Sequence, residues 1–115
     1  MELEKIKLYE AFGELLYAIA MVDGEVQESE IQKIKEVLGK HDAGKEIQWS
    51  FDYEKKNNQG VENAYKKAID LCKFYGPSPD YAFLMDAVRQ VADSSDGLSE
   101  SEKELIERME KEINT

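Results

Sequence analysis

Cysteine, histidine, proline and positive charge are all scarce in this chain of 115 residues. Its one cysteine, Cys72, can form no internal disulfide and no Cys-rich zinc site. Its one histidine, His41, excludes zinc centres built on several imidazoles. Two prolines and seven glycines are too few for a collagen-like or low-complexity chain. No apolar run approaches the ~18 residues that a membrane-spanning helix needs. The opening MELEKIKLYE carries acidic residues where a signal peptide carries none. A reducing, cytoplasmic setting is therefore expected. Lys and Arg together number 15 against 25 Asp and Glu, for a net charge of −10. Such a chain repels phosphate backbones and anionic lipid headgroups, so neither nucleic acid nor membrane insertion is expected. Cations and basic protein surfaces are the partners that its charge favours.

What the chain does have is apolar residues at helical spacing, amounting with the aromatics to 42% of the sequence, too many for disorder. Its length suits one domain. Leu3, Ile6, Tyr9, Phe12, Leu15, Leu16 and Ile19 form one stripe over residues 2–22, which Asp23-Gly24 ends. Ile31, Ile34, Val37 and Leu38 carry a second helix to Gly39. Residues 47–53 alternate apolar and polar like a strand, but no second strand is available to pair with them, so a short helix across 44–56 is expected. On that helix Ile47 and Phe51 fall opposite Trp49 and Tyr53. Either both sides are buried, or one pair, with Trp49 foremost, is exposed as a docking patch.

A clean stripe (Val61, Tyr65, Ala68, Leu71, Cys72, Tyr75) predicts a helix over 61–75. Ser78 as cap and Pro79 at the first helical position predict the next start. That helix runs to about 93, with Phe83, Leu84, Ala87, Val88 and Val91 inward, and Asp96-Gly97 ends it. Ser99 with Glu102 forms a capping box that opens a last helix on Leu105, Ile106 and Met109. The expected fold class is all-α, a bundle of five to seven helices.

Two segments repeat: Leu15 to Leu38 and Asp86 to Met109 align on their Asp-Gly pairs. Each reads as helix, Asp-Gly turn, one buried aliphatic residue (Val26 or Leu98), acidic first turn, helix. Residues 1–30 hold eight acidic and two basic residues, residues 80–115 ten and four, and the stretch between seven and nine. The acidity thus belongs to the two ends that carry the loops.

At LLYAIAMVDGEVQESEI and VRQVADSSDGLSESEKELI the chain resembles the TerB family, a tellurite-resistance domain also found ahead of the J domain in DjlA-type co-chaperones. With the helices that follow them, these segments cover a little under half the chain. The resemblance implies an all-helical domain in which the two loop hairpins pack near each other. It implies no enzymatic activity, and a role in resistance to tellurite and other chemical stress. The implied partners are proteins, in complexes near membrane proteins. Its cation-binding loop residues carry over to Asp23, Glu30, Asp96 and Glu102. No His-Pro-Asp is present, so a co-chaperone role would need a partner chain.

Neither loop is an EF-hand. With Gly24 at position 6 of such a loop, positions 1 and 3 are Ile19 and Met21; in the second loop positions 1, 3 and 12 are Ala92, Ser94 and Lys103. Packed side by side, the loops would gather Asp23, Glu25, Glu30, Asp93, Asp96, Glu100 and Glu102, a concentration of charge that Ca²⁺ or Mg²⁺ would relieve. Alternatively Glu30 and Glu102 simply cap their helices, although Gln27, where the second loop has Ser99, is a poorer cap. His41, just past a helix end, and Cys72, on an apolar stripe, are expected to be structural.

Overall fold

The computed structural model describes residues 3–95 and 97–114. Among them are six helices and no strand: α1 (Leu3–Met21), α2 (Glu28–Leu38), α3 (Gly44–Lys56), α4 (Val61–Tyr75), α5 (Tyr81–Asp93) and α6 (Glu100–Ile113). The alternating segment 47–53 is helical, as the lack of a pairing strand requires. The radius of gyration, 12.6 Å, is near the ~13 Å of a folded chain of this length.

α1 is the central element, packed against α3, α4, α5 and α6. Its burial departs from the expected single stripe. Leu3 is exposed and Ile6 half-buried, whereas every residue from Ala11 to Ala20 is buried. Over that stretch the helix is enclosed by its neighbours and has no solvent face, and its small residues serve where neighbours come closest. Gly13 is the clearest case: a Cβ there would lie 2.5 Å from the Ile47 carbonyl oxygen and 2.8 Å from the Phe51 nitrogen. The same crossing is tied by Ser50 Oγ, which donates to the Glu10 carbonyl at 2.7 Å. Phe12, Leu15, Leu16 and Ile19 are essentially inaccessible. Each such side chain contributes about 1.5–3 kcal/mol relative to an exposed one.

α3 resolves the ambiguity of the middle segment. Ile47 and Phe51 are buried, while Trp49 and Tyr53 are 63% and 49% exposed and stack on each other. α5 begins later than expected. Its N-cap is Asp80, not Ser78, and Pro79 precedes the helix. Ser78 instead closes the turn before it, its Oγ accepting from the Asp80 N–H at 3.0 Å. The Asp80 carboxylate is drawn off to α1 and the α2–α3 turn, where it accepts from Tyr9 Oη at 3.1 Å and lies 3.6 Å from His41 Nε2.

Asp23-Gly24 and Gly97 lie in helix-to-helix turns, with Gly24 at φ +107° and Gly97 at φ +84°; Asp96 lies outside the described residues. Those values lie in the region that side chains with a Cβ resist. The aliphatic residue after each turn differs from expectation: Val26 is only half-buried against the core, and Leu98 is 37% exposed.

Candidate functional site

The α1–α2 and α5–α6 turns meet. Ser99 Oγ donates to Asp23 Oδ1 at 3.1 Å, and the hydroxyls of Ser29 and Ser95 touch. Between them lies an open cavity of about 590 Å³, lined by Asp23, Glu25, Glu30 and Glu102, with serines, Gln27 and Leu98 around them. None of the described residues lining it is basic. Of the predicted site residues, the structure brings Asp23, Glu30 and Glu102 together, and Glu25 joins them. Asp93 and Glu100 remain on the exposed surface, and Asp96 lies outside the described residues.

Glu30 and Glu102 reach the cavity from the same position of their helices. Glu30 Oε1 accepts from the Gln27 N–H at 2.7 Å, and Glu102 Oε1 from the Ser99 N–H at 2.9 Å. Ser99 returns the bond by accepting from the Glu102 N–H at 3.1 Å. Gln27 turns its side-chain amide to Glu25 at 3.0 Å. Both glutamates are buried, and burial pushes the Glu30 carboxyl up to about 7. The Gln27 N–H opposes that shift, while the charges of Glu102 and Asp23 add to it. One oxygen of each glutamate is thus committed to its own helix. A divalent ion here would meet the remaining oxygens and keep most of its water. Among the described residues, no group of three or more His, Cys, Asp or Glu is placed to hold a metal ion.

A second pair of buried carboxylates escaped the sequence reading. Glu14 of α1 and Glu54 of α3 are both shielded from solvent, and Lys67 of α4 reaches between them. Its Nζ lies 3.0 Å from Glu14 Oε2 and 2.6 Å from Glu54 Oε1. The outer oxygens, Glu14 Oε1 and Glu54 Oε2, are buried without a hydrogen-bond partner. Burial pushes Glu14 up to about 7, against the pull of Lys67. Burial lowers Lys67, but the bonds to Glu54 and Glu14 more than offset it, and its ammonium is raised. One signal was available: Glu14 is the only charged residue between Glu10 and Asp23.

His41 and Cys72 take structural places. His41 Nδ1 accepts from the Ala43 N–H at 2.9 Å, which leaves the neutral ring's hydrogen on Nε2, toward Asp80. The ring packs against Tyr9 and Phe83, with centroids 5.9 and 4.4 Å away. Cys72 is buried beside Tyr81, and burial pushes its thiol up to about 11, far from a reactive thiolate. Among the described residues, no helix is long and apolar enough to cross a membrane. No family model, curated protein or solved structure matches the chain.

Proposed function

We propose that this chain is a non-enzymatic, TerB-like module of the cytoplasm, serving resistance to tellurite or other chemical stress. It binds another protein through the acidic face where its two Asp-Gly loops meet. The observation that carries this reading is the bond between Ser99 and Asp23, 76 residues apart, which joins the two turns around four carboxylates. The net charge of −10 favours a basic partner surface. An oligolysine peptide without apolar residues is the probe. Titrated into labelled protein, it should shift the backbone amides of residues 23–30 and 97–102. Asp23→Asn with Glu25→Gln should weaken binding several-fold. Shifts confined to other surfaces, or none, would refute the reading.

A weak Ca²⁺ or Mg²⁺ site in the same cavity is the second reading. Its support is the gathering of Asp23, Glu25, Glu30 and Glu102 around one cavity, a concentration of like charge that a cation would relieve. With few free carboxylate oxygens, the dissociation constant should be on the order of 10⁻⁴ to 10⁻³ M. Millimolar Ca²⁺ or Mg²⁺ should then raise the melting temperature beyond NaCl of equal ionic strength, and Asp23→Asn with Asp96→Asn should abolish the increment. If NaCl reproduces the whole effect, the acidity is only being screened.

A further inference from the structure

Each of the four carboxylates around the loop cavity commits one oxygen within the chain and leaves the other free. Glu30 Oε1 and Glu102 Oε1 accept from backbone N–H groups, Asp23 Oδ1 from the Ser99 hydroxyl, and Glu25 Oε1 from the Gln27 amide. Among the described residues nothing donates to Glu30 Oε2, Glu102 Oε2, Asp23 Oδ2 or Glu25 Oε2. Two of these oxygens belong to side chains that are otherwise enclosed. Glu30 is 3% exposed and Glu102 4%, and both line the cavity. Neither Oε2 is sealed in the core as the outer oxygens of Glu14 and Glu54 are, so each meets the cavity. A nearly buried carboxylate with a free oxygen at a cavity wall is ready for a donor that brings positive charge. The α2 and α6 N-termini bring about half a positive charge each, too little to offset four carboxylates.

The free oxygens are spread around the cavity: no three of the described carboxylates are placed to hold one metal ion. A compact ion therefore reaches few of them, whereas a guanidinium carries five donors in a planar fork and sheds water more readily than an ammonium. The chain's own ion pairs show that difference. Arg108 bonds Glu62 of α4 at 2.7 and 3.1 Å and Glu112 of α6 at 3.1 Å. Lys67, between Glu14 and Glu54, leaves an oxygen of each unpartnered. The wall also has an apolar part, Ala20 with Leu98, and Leu98 is 37% exposed. A methylene stem can lie along it while the charged head goes to the carboxylates. At about 590 Å³ the cavity has the size of a small-ligand pocket, room for a side chain and not for a helix.

We infer that the cavity between the two turns is a pocket for a single arginine side chain of a partner protein, an inference that rests on the loop face being the binding face. The guanidinium bridges Glu30 and Glu102, Asp23 and Glu25 meet it from the exposed rim, and the stem lies on Leu98. Charge selects this occupant over an acidic or an apolar one, because none of the described lining residues is basic.

The probes are two end-capped peptides, Gly-Arg-Gly and Gly-Lys-Gly, titrated into isotope-labelled protein at fixed ionic strength. The titrations are run at about pH 8, where Glu30, pushed up to about 7, is ionised. The arginine peptide should shift the backbone amides of residues 23–30 and 97–102 saturably, and bind several-fold more tightly than the lysine peptide. Glu102→Gln should weaken the arginine peptide by at least about tenfold, the loss of a charge-assisted bond. Because Glu102 also caps α6, two variants at exposed positions stand beside it. Glu25→Gln should weaken binding by a smaller factor, and Leu98→Ser, which alters no charge, should weaken it several-fold through the stem. Equal affinity for the two peptides would overturn the inference, since only charge would then matter. So would an affinity that Leu98→Ser leaves unchanged, or no saturable shift of these amides. In each of those cases the acidic-face reading stands if oligolysine still shifts the same amides, and falls with the inference if it does not.

Discussion

Two pairs of buried glutamates divide this molecule. Glu30 and Glu102 sit where helices begin, and each meets a backbone N–H of its own helix within three residues. Glu14 and Glu54 sit in the middle of α1 and near the end of α3, and the cation between them, Lys67, arrives from a third helix. Helix N-termini supply free N–H groups and a positive dipole end, so the first pair is held locally. The second pair depends on tertiary structure: two carboxylates share one ammonium, and an oxygen of each remains unpartnered. The same residue type is therefore ordinary capping chemistry in one region and an unbalanced charge in the other. The difference should appear as soon as either support is removed.

The largest effect belongs to Lys67. Lys67→Met keeps the length of the stem but strands Glu14 and Glu54 in the core. Breaking a buried ion pair from one side costs about 3–5 kcal/mol. Lys67 is 46% exposed along its side chain, so the lower end, about 3 kcal/mol, is expected from denaturant unfolding at neutral pH. Adding Glu14→Gln and Glu54→Gln should recover most of the loss, because amides need no counter-charge. A triple variant as unstable as Lys67→Met would show that the stem's packing, rather than the charge, is what matters.

The pH profile sharpens the same contrast. In the folded state Glu14 titrates near 7, while in the unfolded chain a glutamate titrates near ~4.3. Between those values the folded protein keeps a proton that the unfolded chain releases. Stability therefore falls as pH rises from about 4.3 to about 7, and levels off above. Glu30, also raised to about 7, acts in the same direction. Glu62 is lowered by its bond to Arg108, and its opposite trend falls below that window. Glu14→Gln and Glu30→Gln should each flatten the curve of stability against pH in part, and together nearly level it over this window. An unchanged slope in Glu14→Gln would mean that Lys67 keeps that carboxylate ionised.

Much of this could be read before any coordinates, and what could not has a common cause. The helices, the turns at Gly24 and Gly97, the Ser99–Glu102 box and the two faces of α3 are local features, set by residues within about four positions of each other. The enclosure of α1 was not legible, because Ala11, Gly13, Ala18 and Ala20 look neutral until other helices close over them. Nor was the α5 cap, because Asp80 is recruited by Tyr9, 71 residues away. The Glu14–Lys67–Glu54 cluster joins three helices, and Glu54 beside Lys55-Lys56 reads as surface charge. In the loops the carboxylates of Asp23, Glu30 and Glu102 could be named, but their closeness depends on how the two hairpins pack.

The smallest effect tests the two caps against each other. The repeat puts Gln27 where the second loop has Ser99, and their hydrogen bonds differ. Ser99 Oγ accepts from the Glu102 N–H, whereas the Gln27 side chain is turned toward Glu25 on the surface. Ser99→Ala should thus cost about 1 kcal/mol, within the range for losing an N-cap oxygen, and Ser99→Asn should be nearly neutral. Gln27→Ala should cost only a few tenths, because the bond from its N–H to Glu30 comes from the backbone and survives. The Ser99 change carries a second signature. It also removes the hydroxyl that donates to Asp23, so Ser99→Ala should lower amide-exchange protection in the first turn, on the far side of the cavity. Equal costs for the two alanines, with no change in the first turn, would mean that the loops are capped independently and that the cross-loop bond contributes nothing to their pairing.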